Sequence, residues 1–544
     1  MTGWHVRLSE NGACVSYGQE RGRSLYVDGA VLPESAVFLR SRRFPSAPHD
    51  VFVLADDLKS AEFIRSLKTK KKGAPSIHVC GKDRFLSVLA DVEVFHIATK
   101  ISALISLALA SSNQSTPLAT IDALEYLLKH EIASRLKPIF EIAHLTRSDN
   151  IQHIVLPLPN LCAALAISDI LADRALAPHH PRQILEPASR LWRHYIPVPD
   201  AKIAFSGQGD TLAVLPLGRR KSQPTIVVSR ITQILEDIGI PLIHVEEPRP
   251  KKRSWRESTT DLRAFQLLRA CGVSMSISLL LAPSVARAIS QRLPFLLALA
   301  RTASQCCATN HVKSVITIQG LRMAGAFFAH GARAAGAGTL DVRPLIEGVS
   351  GRYSSHFFDA IVGFDPAQAA LPRTAKSIFV ARPLVEPSGS MSSFLGSTLI
   401  VSQPLGLEMK AIADRAAQGS FGRVRTRLHP SDGPAASALW QHYLPDAAIE
   451  PSGHDPNFTD TPLLVGATSN FIVEGALAGV PVLLATSEAS LQAVWPQALR
   501  PGASLEAWRA APDAPQKAAD SYKACALHCP AFGEIIENWL GRPA

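Results

Sequence analysis

The residues best suited to chemistry lie in the last third of the chain. Thr468-Ser469-Asn470 follows the apolar run Leu463-Leu464-Val465-Gly466 and precedes Phe471-Ile472-Val473-Glu474-Gly475-Ala476-Leu477-Ala478. That order reads as a strand, a small polar turn and a short helix. A helix opening at Ser469-Asn470 directs its unsatisfied N–H groups and positive dipole end above the strand's carboxyl end, a phosphate-holding geometry. His429-Pro430 closes another strand-like run, Thr426-Arg427-Leu428, and would face the same crevice. His429 can donate to a phosphate or a ribose, and Pro430 fixes the backbone that aims it. Gln403, in Ser402-Gln403-Pro404, ends a further strand and opens there too. Thr468 and Ser469 can contact phosphate oxygens, although capping of the helix accounts for hydroxyls at that place equally well. Glu474, one turn into the helix, either reaches a ribose or nucleobase or is a solvated carboxylate.

A partner for these groups lies upstream. Glu347 precedes Gly348 at the end of a strand-like run, so its carboxylate is accessible, and desolvation in a closed cleft would raise its basicity. It is the first candidate for a general base. Asp56 and Asp57, after Val51-Phe52-Val53-Leu54-Ala55, are the alternative. Arg343, Arg423, Arg425 and Arg427 can neutralise diphosphate or carboxylate charge. The alternation of the last three puts them on one face of a strand, where exposure to solvent is the ordinary outcome. No Asp-x-Asp triplet marks a divalent-ion site.

The elements that must position these groups are strands alternating with helices, the pattern of a mostly parallel, doubly wound sheet. Strands are expected at 13–17, 24–27, 51–55, 76–80, 92–97, 154–157, 225–228, 241–245, 314–320, 359–364 and 397–403, with helices through about 100–145 and 321–335. At 544 residues two domains are the default and three are possible. The expected division is an N-terminal extension (1–44), an acceptor-side α/β domain with helical insertions (45–385), a Pro/Gly/Ser-rich linker (386–396) and a nucleotide-sugar-binding α/β domain (397–544). Ligands of doubly wound domains bind at the carboxyl ends of the strands.

Composition bounds the partners. The formal charge of +10, from 56 Lys+Arg and 46 Asp+Glu, favours anions without choosing among nucleotides, acidic glycans and lipid headgroups. Basic clusters at 68–72 and 249–256 fit exposed loops or contact with an anionic membrane. Charge without interleaved aromatics gives no case for nucleic acid. The eight cysteines lack zinc-finger spacing, and Cys525, His528 and Cys529 form only a weak metal candidate. The N-terminus lacks a signal-peptide pattern, and the apolar stretch from Val273 to Leu299 is broken by Arg287, Arg292 and Pro294. These features predict a cytosolic protein, with peripheral membrane contact as an option.

The order Glu347-Gly348, His429-Pro430, then Thr468-Ser469 with Glu474-Gly475-Ala476-Leu477-Ala478-Gly479-Val480-Pro481-Val482, resembles bacterial GT-B glycosyltransferases of capsule and lipopolysaccharide assembly. The likeness is strongest to CMP-sugar-dependent sialyltransferases and polysialyltransferases, with Kdo-transferase and wall teichoic acid polymerase types nearby. It covers roughly residues 315–515. The resemblance implies two Rossmann-like domains about a central cleft and inverting, metal-independent transfer of a CMP-activated acidic sugar to a glycan or lipid-linked glycan, with no cofactor. It implies a catalytic base at Glu347, CMP contacts from His429 and Pro430, and phosphate contacts from Ser469 and Thr468. Ile346 stands where that family's acidic-acidic-Gly motif has its first acid. A polyol-phosphate transferase with a CDP-activated donor and a non-catalytic subunit of an envelope-assembly complex are the alternatives.

Overall fold

The computed structural model describes residues 3–9, 12–18, 51–55, 77–81, 88–112, 118–148, 153–156, 185–193, 209–217, 226–246, 257–318, 323–343, 357–364, 377–384, 396–402, 415–428, 444–450, 461–466, 470–484 and 504–541, with single positions between them. The strands form three sheets. The first contains β1 (Gly3–Ser9), β2 (Gly12–Gly18), β3 (Val51–Ala55), β4 (Ile77–Gly81) and β5 (His153–Leu156) in the order β2-β1-β5-β3-β4. β1 runs antiparallel to β2 and β5, whereas β3 is parallel to β4 and β5. The expected extension thus supplies two strands of a sheet, and the 45–385 segment contributes to two sheets. The expected strand at 24–27 lies outside the described residues.

A helical layer follows. α1 (Val88–Ser112), α2 (Leu118–Ser148) and α3 (Leu185–Trp192) share a core with later helices. Residues 92–97, expected as a strand, belong to α1. The buried set Val94, Ala98, Ile101, Ile105 and Ala108 repeats every three or four residues, and that longer period overrides the local β-branched character.

The second sheet consists of β6 (Thr211–Leu217), β7 (Leu242–Glu246), β8 (Ser314–Ile318), β9 (Gly338–Arg343), β10 (Ala360–Gly363) and β11 (Ser377–Val380), in the order β11-β10-β9-β8-β6-β7. Every neighbouring pair is parallel. The helices between its strands are α4 (Ile226–Asp237), α5 (Glu257–Ala270), α6 (Met275–Arg287), α7 (Leu293–Thr309) and α8 (Met323–Ala334), of which α5 and α6 bury their apolar residues in the helical layer's core. The Ile226-Val227-Val228 run is therefore helical, not a strand, because it buries Val228, Ile231 and Leu235 on one face. The sequence reading missed β6, whose Pro216 argues against a sheet interior. Pairing with β8 ends at Val214, so Pro216 lies beyond the ladder that would need its missing N–H. α6 and α7 are joined by a π-turn at Ala288–Arg292, and buried residues recur throughout the run, as expected for an internal helix. Among the described residues no helix is long and apolar enough to cross a membrane.

The third sheet contains β12 (Thr398–Val401), β13 (Val424–Arg427), β14 (Ala448–Glu450), β15 (Leu464–Gly466) and β16 (Val482–Leu484), all parallel, in the order β14-β13-β12-β15-β16. α9 (Asn470–Ala478) follows β15, and α10 (Leu505–Ala510), α11 (Ala514–Leu527) and α12 (Phe532–Trp539) follow among the described residues. α11 shares Ala519 and Tyr522 with Val473 of α9 and Val482 of β16 in one core cluster. α12 instead buries Phe532, Ile535 and Ile536 with Ile316, Leu340 and Val362 of the second. The chain that crossed from β11 to β12 therefore returns, and the Arg382 N–H donates to the Pro530 carbonyl at 2.8 Å where the two passes meet.

Candidate functional site

The third sheet's order is third, second, first, fourth, fifth in chain sequence. Its topological switch point lies between β12 and β15, where ligands of open α/β sheets bind beyond the carboxyl ends. Register makes those ends level: Val401 pairs with Arg427, Arg427 with Glu450, and Gly466 with Leu484. The Ser402 N–H donates to the Arg427 carbonyl at 2.8 Å and the Leu428 N–H to the Glu450 carbonyl at 3.1 Å. The connections carrying Gln403, His429-Pro430 and Thr468-Ser469 thus leave the same edge of one sheet. Gln403, His429, Pro430, Thr468 and Ser469 themselves lie outside the described residues. Asn470 is the first residue of α9, and Glu474 is half-buried one turn further on.

Only three residues separate β15 from α9, so the end of one and the start of the other are at most about 14 Å apart. The helix must therefore begin at the carboxyl edge, with its free N–H groups and dipole there. Two glycines let it lie close to the strand. A Cβ on Gly466 would come within 2.4 Å of Ile472 Cδ1, and one on Gly475 within 2.3 Å of Leu464 Cδ2. Gly479, at φ +85°, ends the helix: its N–H reaches the Ala476 carbonyl and the Val480 N–H the Gly475 carbonyl.

The four candidate arginines separate cleanly. Arg343 is buried in β9 of the second sheet, where its Nε donates to Asp341 at 2.9 Å. Arg425 is buried too, ion-paired with Glu450 and donating to Thr461 Oγ1 at 2.6 Å. The face expected to meet solvent is instead shared with Leu399 and Val401 and covered by α9 and α11. Arg423, exposed, precedes β13 at its amino end. Arg427 remains at the carboxyl edge, its guanidinium carbon 4.6 Å from the centre of the Phe471 ring.

Three contributors were missed from sequence. Phe471, in the first turn of α9, packs on Phe458 with ring centres 4.9 Å apart. Glu450 supplies the carboxylate beside the arginines. Trp440 is buried and donates from Nε1 to Ser402 Oγ at 2.7 Å, pinning the loop before Gln403. An aromatic directly after Thr-Ser-Asn was the one available signal.

Elsewhere, Glu347 lies outside the described residues, four positions beyond the end of β9. Asp56 and Asp57 also lie outside them, following β3 of the first sheet, so the two candidate bases are carried by different sheets. The basic clusters at 68–72 and 249–256 likewise lie outside the described residues, and α5 begins directly after the second. At the end of α11, His528 Nδ1 lies 2.6 Å from the Ala524 carbonyl and Cys529 Sγ donates to the Cys525 carbonyl. No group of three His, Cys, Asp or Glu able to hold a metal occurs among the described residues.

No known family model matches the sequence. No curated protein matches it either. Among solved structures, MurG from Acinetobacter baumannii aligns with 12% identity and a TM-score of 0.35 over 61% of this chain and 99% of that one. A glycosyltransferase from Rickettsia africae aligns with 12% identity and a TM-score of 0.37 over 61% and 97%. The UDP-GlcNAc 2-epimerase from Neisseria meningitidis, bound to UDP-GlcNAc, aligns with 9% identity and a TM-score of 0.36 over 61% and 99%.

Proposed function

We propose that the protein is a GT-B-like glycosyltransferase that moves a sugar, from a CMP-activated acidic donor, to a cell-surface glycan or lipid-linked glycan. The observation that carries this reading is the switch point of the third sheet. There the β12, β13 and β15 ends and the start of α9 converge, each followed by a residue suited to holding a nucleotide phosphate. Two parallel doubly wound sheets, joined by one outgoing pass and one returning helix, supply a framework for donor and acceptor sides. The order of Glu347-Gly348, His429-Pro430 and Thr468-Ser469 supports the CMP choice.

In this mechanism Glu347 takes the proton of an acceptor hydroxyl as its oxygen bonds to the anomeric carbon. The bond from that carbon to the phosphate oxygen breaks, and the electron pair leaves on the nucleotide. His429 and the first N–H groups of α9 stabilise the departing phosphate, so protein donors carry the leaving-group charge. Peripheral contact with an anionic membrane is part of the same proposal. The basic 249–256 segment leads directly into α5, and Met275 and Leu279 are exposed four residues apart on α6, which packs against α5.

A thermal-shift panel of CMP, CDP, UDP and GDP tests the donor, since a ligand of the folded state alone raises the melting temperature. Stabilisation by CMP above the others is expected. Preference for UDP or GDP would sink the CMP-sugar reading, and preference for CDP would move the assignment to a CDP-activated polyol donor.

A further inference from the structure

The helical layer holds a cavity of about 290 Å³, none of whose lining residues belongs to the third sheet. Buried Phe140 of α2 and buried Ile170, with partly buried Ile97 of α1 and Leu176, give it an apolar lining. The wall carrying Ile170, Ala175 and Leu176 is tied to the start of α6 and the turn before it. Ser276 Oγ donates to the Asp169 carboxylate, the Ser274 N–H donates to the Ala175 carbonyl at 3.0 Å, and Leu176 forms an antiparallel bridge with Val273. Three ties to a neighbouring element fix that wall, so the cavity is pre-formed, as ligand sites usually are.

Its polar groups all come from one helix. Glu93, His96 and Lys100 line the cavity at three- and four-residue spacing, which sets them along one face of α1 beside Ile97. All three are exposed, so they stand where the cavity opens to water. Neither His96 nor Lys100 has an ion-pair or hydrogen-bond partner among the described residues. Glu93 and Lys100 are seven residues apart, about 10 Å along the helix axis. The mouth therefore has an acidic end and a basic end, and an anion is attracted to the second and repelled from the first. At roughly 30 Å³ per water, the space holds on the order of ten waters, or a ligand with a similar number of non-hydrogen atoms.

We infer that this cavity is a binding site for a small amphipathic anion, an alkyl or aryl chain ending in a carboxylate or phosphate. The chain lies against Phe140, Ile170 and Leu176, and the head group meets Lys100 and His96. The site stands apart from the nucleotide-sugar reading above, and failure of either leaves the other intact.

Titration calorimetry of the full chain with octanoate and octyl phosphate tests this, with octanol and octylamine as the neutral and cationic comparators. At least one of the anions should bind more tightly than octanol, and octylamine should bind most weakly. Lys100→Ala should weaken the bound anion about three- to fivefold, the size of a partly solvated ion pair, and leave octanol within about twofold. Added salt should weaken the anion in the same selective way. Ile97→Trp, which fills the space from α1, should abolish binding of anion and octanol alike. Ala175→Leu fills it from the opposite wall and replaces Ile97→Trp if that variant fails to melt cooperatively. Three results would each overturn the inference: no binding of either anion to the wild type, octanol bound as tightly as the anions, or anion affinity unchanged by Lys100→Ala or by a folded filling variant.

Discussion

Arg425 and Glu450 form a cross-strand ion pair at the edge of the third sheet, with Arg425 buried and its second amino group donating to Thr461 Oγ1 at 2.6 Å. The pair turns the β13–β14 edge into a charged bracket beneath Arg427. Removing one partner strands a buried charge. Glu450→Ala should therefore lower the unfolding free energy by roughly 3 kcal/mol in urea titration. Arg425→Met with Glu450→Met should recover most of that loss, since an apolar pair of similar volume avoids the desolvation cost. Equal stability of the two variants would count against a buried, coupled pair.

The contact between α9 and β15 depends on missing side chains. Gly475 faces Leu464 Cδ2 and Phe458 Cε1, the latter 3.3 Å from where a Cβ would be. Gly475→Val should cost about 1–3 kcal/mol by overpacking and should also weaken nucleotide binding, because the helix start moves with the helix. Unchanged stability and binding would show that the packing there yields freely.

Glu347→Gln should reduce transfer by about 100-fold or more, the usual size of a general-base contribution, while nucleotide affinity stays the same. His429→Ala should instead weaken nucleotide binding. Full turnover by Glu347→Gln would move the base elsewhere, first to Asp56 or Asp57.

Lys129 carries a pH signature of the helical layer. Burial holds its ammonium down at about 8 against 10.5 in solvent, with Glu125 opposing the shift and the Tyr126 ring 5.6 Å away. Between those two values the unfolded chain binds more protons than the folded one, so stability rises with pH through that window. Lys129→Met should raise the unfolding free energy by roughly 1–3 kcal/mol at pH 7, a gain that fades towards pH 10.5. Urea titrations at the two pH values decide this, and a gain of constant size would contradict it.

Burial also pushes the Cys271 and Cys307 thiols up to about 12, whereas Cys525 is exposed. Thiolate is the reactive form. Iodoacetamide at neutral pH should label Cys525 in the native protein and reach Cys271 and Cys307 only on unfolding, as read by peptide mass spectrometry. Native labelling of either buried thiol would refute their enclosure.

Much of the α/β alternation is legible because parallel strands are short apolar runs bounded by turn residues. β3, β4, β7, β8, β10 and β12 all have that form, as do the strand, turn and helix of β15 and α9. Local character misleads at Val92–Ile97 and Ile226–Val228, where β-branched residues serve helix faces whose burial is set by distant partners. It also misleads at β6, where Pro216 escapes its penalty through the register of a neighbour more than sixty residues away.

The sequence by itself determined that a polar helix start follows an apolar strand near residue 470, that a His-Pro ends another strand, and that arginines alternate along the latter. Those are local properties of adjacent residues. Only the tertiary structure decided that β12 and β15 are neighbours at a switch point, which brings the loops after them to one edge. It also decided which arginine keeps to that edge. Strand order and cross-strand register depend on contacts between residues far apart in the chain, and no local periodicity encodes them: Arg425 and Arg427 share a face and a pattern, yet one is locked to Glu450 and Thr461 while the other rests on Phe471.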